Sequence, residues 1–288
     1  MNILITGETG YIANYLYNYL KSQNSNYIIN KRSIKDNFED SMLTGVDVVV
    51  HLAGLVHKNE KNYVEKDYMN VNTKVTEKLA KMAKEAGVKH FIFFSTMAVF
   101  GKVKGEISDK TLINPISYYG KSKLIAEGIL QTLHDESFNV AIVRPPMVYG
   151  PDCPGNYALL RNLSIKTKIF PFIENQRSMI FIGNLTEFIK QLIVHRATGT
   201  FHPQDPQYIN TMDMVNEIAK VHNKKKYTTV IGASILKICI GKTNIYSKVF
   251  GDLYYEPSLS FYADNSYQRY NFQQAIAITE GKGTQLKL

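Results

Sequence analysis

The chain has 288 residues, 44% of them hydrophobic, and a formal net charge of +9, which is enough apolar content and length for a sizeable core in one large or two unequal domains. That excludes a disordered chain, no run of about 18 apolar residues argues for a membrane span, and two cysteines, Cys153 and Cys239, leave neither a disulfide framework nor a recognisable metal spacing. The basic residues are mostly lysines scattered along the chain, so nucleic acid is not expected, whereas an anionic small ligand such as a nucleotide diphosphate suits the charge. The opening residues lack a leader pattern, so a cytoplasmic protein is expected.

Short segments rich in branched and aromatic residues, NILIT (2–6), NYIIN (26–30), VDVVVHL (46–52), VKHFIFFS (88–95) and FNVAIVR (138–144), read as buried strands. Between them, 10–21, 63–86 and 117–134 carry apolar residues at helical spacing. Strand and helix alternate, which predicts an α/β fold: a Rossmann-type, doubly wound parallel sheet with ligands at the carboxyl ends of its strands. Beyond Pro151 the alternation loosens. The expected plan is a dinucleotide-binding domain over 1–150 and a smaller substrate-binding domain over 151–288, with part of about 179–205 packing back on the first.

The first strand runs into GETGYIA and then a helix. Gly7 permits a tight turn, Gly10 lets the backbone approach a pyrophosphate, and the amides around Thr9, Gly10, Tyr11 and Ile12 face the phosphates at the helix start. At the end of the second strand an acidic residue would bond the ribose 2'-hydroxyl of NAD. Here stand Asn30, Lys31 and Arg32, which suit a 2'-phosphate and favour NADP(H), with NAD(H) the alternative. Only about 15 residues separate that strand from the next, too few for the usual further strand with its aspartate, so Asp36 or Asp40 would have to serve the adenine end. Leu52, Ala53 and Gly54, after the third strand, let a cofactor approach the backbone.

Tyr-x-x-x-Lys occurs three times: Tyr17 with Lys21, Tyr27 with Lys31, and Tyr119 with Lys123. The first two have no supporting context. The third lies 23 residues after Thr96, and six segments in order, TGETGYIA, HLAG, Asn70 before Thr73, STMAVFG, YYGKSK and RPPMVYGP, resemble the extended short-chain dehydrogenase/reductase family, the nucleotide-sugar epimerases, dehydratases and reductases. HLAGLVH together with VYGP resembles most the branch serving bacterial capsule and O-antigen sugars.

The resemblance implies that Thr96 bonds the reacting oxygen, Tyr119 is the acid/base, and Lys123 lowers its pKa and holds the cofactor ribose, with Asn70 supporting the lysine and Pro146 near the cofactor. It also implies that Arg177 and Asn156 contact the substrate, and that the protein dimerises through the helix bearing Tyr119. Tyr118 is expected to pack or to wall the substrate, and His51 to pack rather than to catalyse. Asn184 departs from the usual aspartate of its turn. The dehydratase acid pair is replaced by Met97 and Ala98, neither of which transfers a proton. A 4-ketoreductase or a 4-epimerase remains, with a non-catalytic NADP-binding regulator as a third class. The Asn30-Lys31-Arg32 turn tilts the reading toward an NADPH-dependent reductase of a UDP-linked 4-keto-6-deoxy-N-acetylhexosamine.

Overall fold

A computed structural model describes residues 1–23, 26–34, 38–56, 63–102, 104–229 and 251–281. Asp36, Cys239 and the last seven residues of the tail lie outside them. The central sheet is formed by β1 (Asn2–Thr6), β2 (Ile28–Arg32), β3 (Val48–His51), β4 (His90–Phe94), β6 (Asn139–Val143) and β10 (Gly199–Phe201), in the order β10-β6-β4-β3-β1-β2. Every pair in it is parallel. Side chains alternate across it. Ile3, Ile5, Val48, Val50, Ile92 and Phe94 join the core on one face. Leu4, Val49, Phe91, Phe93, Val140 and Ile142 join the core on the other. Both faces are buried, which is why these strands read as continuous apolar runs.

Helices α1 (Tyr11–Gln23) and α6 (Ile182–His195) cover the first face. Helices α3 (Val75–Glu85) and α4 (Tyr118–Leu133) cover the second. The chain therefore returns to the sheet after residue 180. The α6 helix packs along α1, and β10 adds to the edge strand β6. Elsewhere β7 (Met147–Tyr149) pairs with β9 (Met179–Phe181), and β5 (Gly105–Ile107) with β12 (Leu253–Tyr255). A third small pair joins β8 (Ile169–Pro171) to β11 (Tyr227–Thr229). Helices α5 (Asn156–Lys166), α7 (Thr211–Val221) and α8 (Phe272–Thr279) complete that side. Among the described residues no helix is long and apolar enough to cross a membrane.

Two expectations are corrected. The second strand runs over Ile28–Arg32 rather than 26–30. It is the sheet edge, its burial alternates, and its polar residues stay in register with β1 as far as Thr6 opposite Arg32. The helix expected over 63–86 is interrupted. After α2 (Glu65–Tyr68), residues Met69–Lys74 widen into a π-helical turn before α3.

Candidate active site

Three strand ends and two helices converge at the carboxyl edge of the sheet. Gly7, at φ +84°, leaves no space for a side chain: a Cβ there would lie 3.1 Å from the Ala53 nitrogen. The glycine turn is thereby pressed against the segment after β3, and the Ala53 amide donates to Thr6 Oγ1 at 3.2 Å. Gly10 donates to the Gly7 carbonyl at 2.7 Å, and Thr9 and Gly10 are exposed at the mouth of the turn. The half-buried Tyr11 and Ile12 open α1 beside them. The hydroxyl of Tyr11 is buried without a hydrogen-bond partner among the described residues.

Thr96 follows β4 and caps a short 3-10 turn, its Oγ1 accepting from the Ala98 amide at 3.1 Å. That turn is locked to the start of α4 by two glycines. A Cβ on Gly101, at φ +64°, would lie 1.9 Å from the Asn114 carbonyl oxygen, and one on Gly120 would lie 2.7 Å from that of Ala98. Ser117 caps α4 by accepting from the Gly120 amide at 3.0 Å. This fixes Tyr119, 8% exposed, against Thr96, with which it shares a hydrogen bond. Burial pushes its phenol up to about 12, the Thr96 bond pulls the other way, and Tyr68 adds to the rise. Tyr118 is half-buried, its ring centroid 6.5 Å from that of Tyr68.

Lys123 is buried one turn further on, where its Nζ donates to the Phe94 carbonyl at 2.8 Å and lies 4.6 Å from the centre of the Phe93 ring. Burial brings its ammonium down to about 7, with Glu127 opposing. One of its three protons is committed to Phe94, which leaves donors for a ribose. A Cβ on Gly54 would lie 3.2 Å from Lys123 Nζ and 3.0 Å from Asn72 Oδ1. The strip from Gly7 through Ala53 and Gly54 to Lys123, and from Phe94 to Thr96 and Tyr119, is thus continuous.

His51 is fully buried, its Nδ1 2.7 Å from Thr6 Oγ1 and its Nε2 2.8 Å from Thr76 Oγ1. Burial, with help from Lys123, holds its pKa near 3, so it is a neutral packing residue. Asn70 lies half-buried in the π turn. Asn72, two residues on, makes the contacts that join this turn to α4, donating from Nδ2 to Ser122 Oγ at 3.0 Å. Sequence reasoning also passed over Glu127. Its carboxylate, 2% exposed, accepts from Arg144 Nε at 3.0 Å and Nη2 at 2.5 Å and from the Ser95 hydroxyl. It ties the ends of β4 and β6 to α4. Its place four residues after Lys123, on the same helix face, was a readable signal.

At the second strand, Lys31 is not poised at a turn. Its Nζ donates to Asn14 Oδ1 at 2.5 Å and lies 5.0 Å from the centre of the Tyr17 ring, both on α1. Asn30 and Arg32 are exposed in β2, and Asp40 is exposed in a 3-10 turn. Leu52 is half-buried and Pro146 buried, beyond the ends of β3 and β6. Arg177 belongs to a second group, with Met147, Met179, Ile209 and Thr211 lining a pocket between β7, β9 and α7. Its Nη1 donates to the Gly251 carbonyl at 2.6 Å, and burial lowers its guanidinium to about 10. Asn156 opens α5. Asn184 is structural: its Nδ2 donates to Asp205 Oδ1 at 2.8 Å and to the Tyr270 carbonyl at 3.0 Å.

Residues 3–200 match the NAD dependent epimerase/dehydratase family. The chain belongs to that family. A UDP-glucose 4-epimerase of Vibrio cholerae is 32% identical over 284 residues, covering 88% of this chain and 86% of the relative. An N-acetyl-alpha-D-glucosaminyl-diphospho-ditrans,octacis-undecaprenol 4-epimerase of Escherichia coli O157:H7 is 29% identical over 244 residues, 78% of this chain and 73% of the relative. The solved UDP-glucuronic acid 4-epimerase of Bacillus cereus in complex with NAD superposes with a TM-score of 0.74 over 98% of both chains, at 18% identity, and so shares the fold. As a member of the epimerase/dehydratase family, the protein is an NAD(P)-dependent enzyme of the epimerase, dehydratase and reductase type. The residues present fit the dinucleotide: the glycine turn, the unpartnered buried Tyr11 hydroxyl and the spare donors of Lys123 are what such a ligand engages.

Proposed function

We propose that the protein is a 4-epimerase of a UDP-linked hexose or N-acetylhexosamine, working with NAD. The observation that carries the reading is the hydrogen-bonded pair of Thr96 and Tyr119 with Met97 and Ala98 beside it. One acid/base, with no proton-transferring carboxyl at those two positions, suits a reaction in which one proton leaves, and then returns to, a single oxygen. Tyr119 takes the proton of the sugar C4 hydroxyl and later gives it back, while Thr96 holds that oxygen. When bound, an oxidised nicotinamide supplies the hydride acceptor at C4 and a positive charge beside the phenol. Such a charge would draw Tyr119 down from about 12. Glu127 and Arg144 keep Thr96 and Lys123 in register, and the Gly7–Gly10 turn with Lys123 would hold the cofactor.

The 4-ketoreductase reading drawn from the sequence has less support. It rested on Asn30, Lys31 and Arg32 together as readers of a 2'-phosphate, and of these the Lys31 ammonium is engaged on α1 while Asn30 and Arg32 stay exposed. The similarity to a UDP-glucose 4-epimerase over most of both chains supports the epimerase alternative instead.

The test is incubation with UDP-glucose and UDP-N-acetylglucosamine in the presence of NAD, following both the sugars and the absorbance of reduced cofactor. Interconversion with no net reduction of NAD is expected, together with a loss of about 10²-fold or more in Tyr119→Phe and most activity kept in Tyr118→Phe. Stoichiometric consumption of NADPH by a 4-keto sugar, with no interconversion, would establish the reductase instead.

A further inference from the structure

Glu280 caps α8, its amide donating to the Ile276 carbonyl at 2.9 Å, and its carboxylate side chain is fully buried. A buried charge needs donors around it, and two other helices supply them. From α5, the Tyr157 hydroxyl donates to Oε1 at 2.7 Å and Arg161 Nε donates to Oε2 at 2.7 Å. Tyr157 and Arg161 stand four residues apart and so share one face of that helix. At the end of α7, His222 Nε2 lies 2.6 Å from Oε2, and facing a carboxylate it is the donor. One carboxylate thus ties α5 and α7 to α8. A buried polar centre with its partners in place fixes one arrangement of the elements it joins, and losing a partner is costly.

The helices so joined wall the pocket of Arg177. Leu160 of α5 and Thr211 and Met214 of α7 line it, together with Met147 of β7 and Met179 of β9, which pair with each other. Tyr157 also links the clasp to these strands. Its ring stacks on that of Tyr149, the centroids 6.0 Å apart, and the Tyr149 hydroxyl donates to Asp205 Oδ2 at 2.8 Å. Asp205 in turn accepts from the Phe181 amide of β9 at 3.1 Å. A continuous buried series therefore runs from Glu280 to the helical and the strand walls of the pocket. Thr96, at the end of β4, and Tyr119 and Lys123, on α4, stand outside it.

We propose that Glu280 is a positioning residue for substrate binding, holding α5 and α7 at the separation that receives the diphosphate of a UDP-sugar beside Arg177. The proposal rests on the UDP-sugar reading above, with Arg177 as the diphosphate partner. Glu280 touches no reactant. Walls that are ordered before the ligand arrives spare that ordering at binding. Loss of the clasp therefore falls on affinity and leaves the chemical step at Thr96 and Tyr119.

The test compares the parent with Glu280→Gln and Tyr157→Phe by calorimetric binding of UDP and of NAD, amide hydrogen exchange, and kcat and KM for the UDP-sugar. Tyr157→Phe keeps the ring on Tyr149 and deletes only the bond to Glu280. In both variants exchange over 156–166 should rise about tenfold, UDP affinity should fall about tenfold and KM should rise with it. Both kcat and NAD affinity should stay within about twofold of the parent. Faster exchange over 156–166 with UDP affinity within about twofold of the parent would overturn the proposal, leaving Glu280 a tie of the fold alone. An equal fall in NAD affinity would do the same, since it marks loosening of the whole molecule. If Glu280→Gln does not fold, Tyr157→Phe decides by the same criterion. An Arg177→Ala variant that keeps the parent's UDP affinity, or a parent that binds no UDP, also overturns the proposal. A parent that binds UDP but interconverts no UDP-sugar refutes the epimerase alone, and UDP affinity still judges the clasp.

Discussion

Replacing Lys123 by methionine should make the protein more stable and inactive at once. Burial lowers the Lys123 ammonium from 10.5 to about 7, and at about 1.4 kcal/mol per pH unit the charged form costs the native state on the order of 5 kcal/mol. Methionine removes that cost but forfeits the hydrogen bond to Phe94, about 1–3 kcal/mol, and the contact over the Phe93 ring, about 1 kcal/mol. The net gain is about 2 kcal/mol at or below neutral pH, or roughly 4 °C in Tm for a chain of this size. The pH dependence carries the sign. The folded pKa lies below the unfolded one, so the cost is fully present below about pH 7 and is relieved as pH rises toward 10.5. Urea unfolding of parent and Lys123→Met at a series of pH values measures the difference directly. The gain of the variant should shrink by about 1.4 kcal/mol per unit above pH 7 and reverse near about pH 8.5. A variant less stable than the parent at about pH 6, or a difference independent of pH, would refute the reasoning.

Gly101→Ala should lower stability by about 3 kcal/mol or more, read from the urea midpoint, because the left-handed backbone and the 1.9 Å approach to Asn114 both forbid a side chain. It should also cost turnover, since the Thr96 turn and the start of α4 are held together there. Lys31→Ala should leave NAD and NADP affinities within about twofold, measured by calorimetry, while loosening α1 by about 1 kcal/mol. A tenfold or greater loss confined to NADP would show instead that Lys31 reads the 2'-phosphate.

The strands of the central sheet were legible because burial on both faces writes them as unbroken apolar runs, and the meeting of Thr96 with Tyr119 because the two sit at a readable interval on a strand end and a helix start. The edge strand was displaced for the opposite reason. With Lys31 and Arg32 at its end, an apolar criterion stops too early, and the same two residues then look like a turn waiting for a phosphate. The interval 63–86 keeps helical spacing on both sides of the π turn, so nothing in its periodicity reveals the widened turn between them. That turn decides that Asn72, rather than Asn70, faces α4. Glu127 and Arg144 were missed because each seems an ordinary surface charge until strand ends and helix meet.

The return of the chain to its own sheet bears on how the protein comes to be. Until residue 201 has been made, β6 stands as an open edge and α1 lacks the helix that lies along it. A nascent chain that stopped near residue 150 would expose an apolar helix face and an unpaired strand, the two features that invite misassembly. The Gly7 turn, the Thr96 turn and Tyr119 are all synthesised before that point, yet the sheet that supports them is closed only by residues made afterward. The carboxyl edge of the sheet, where these residues meet, is therefore a late product of folding.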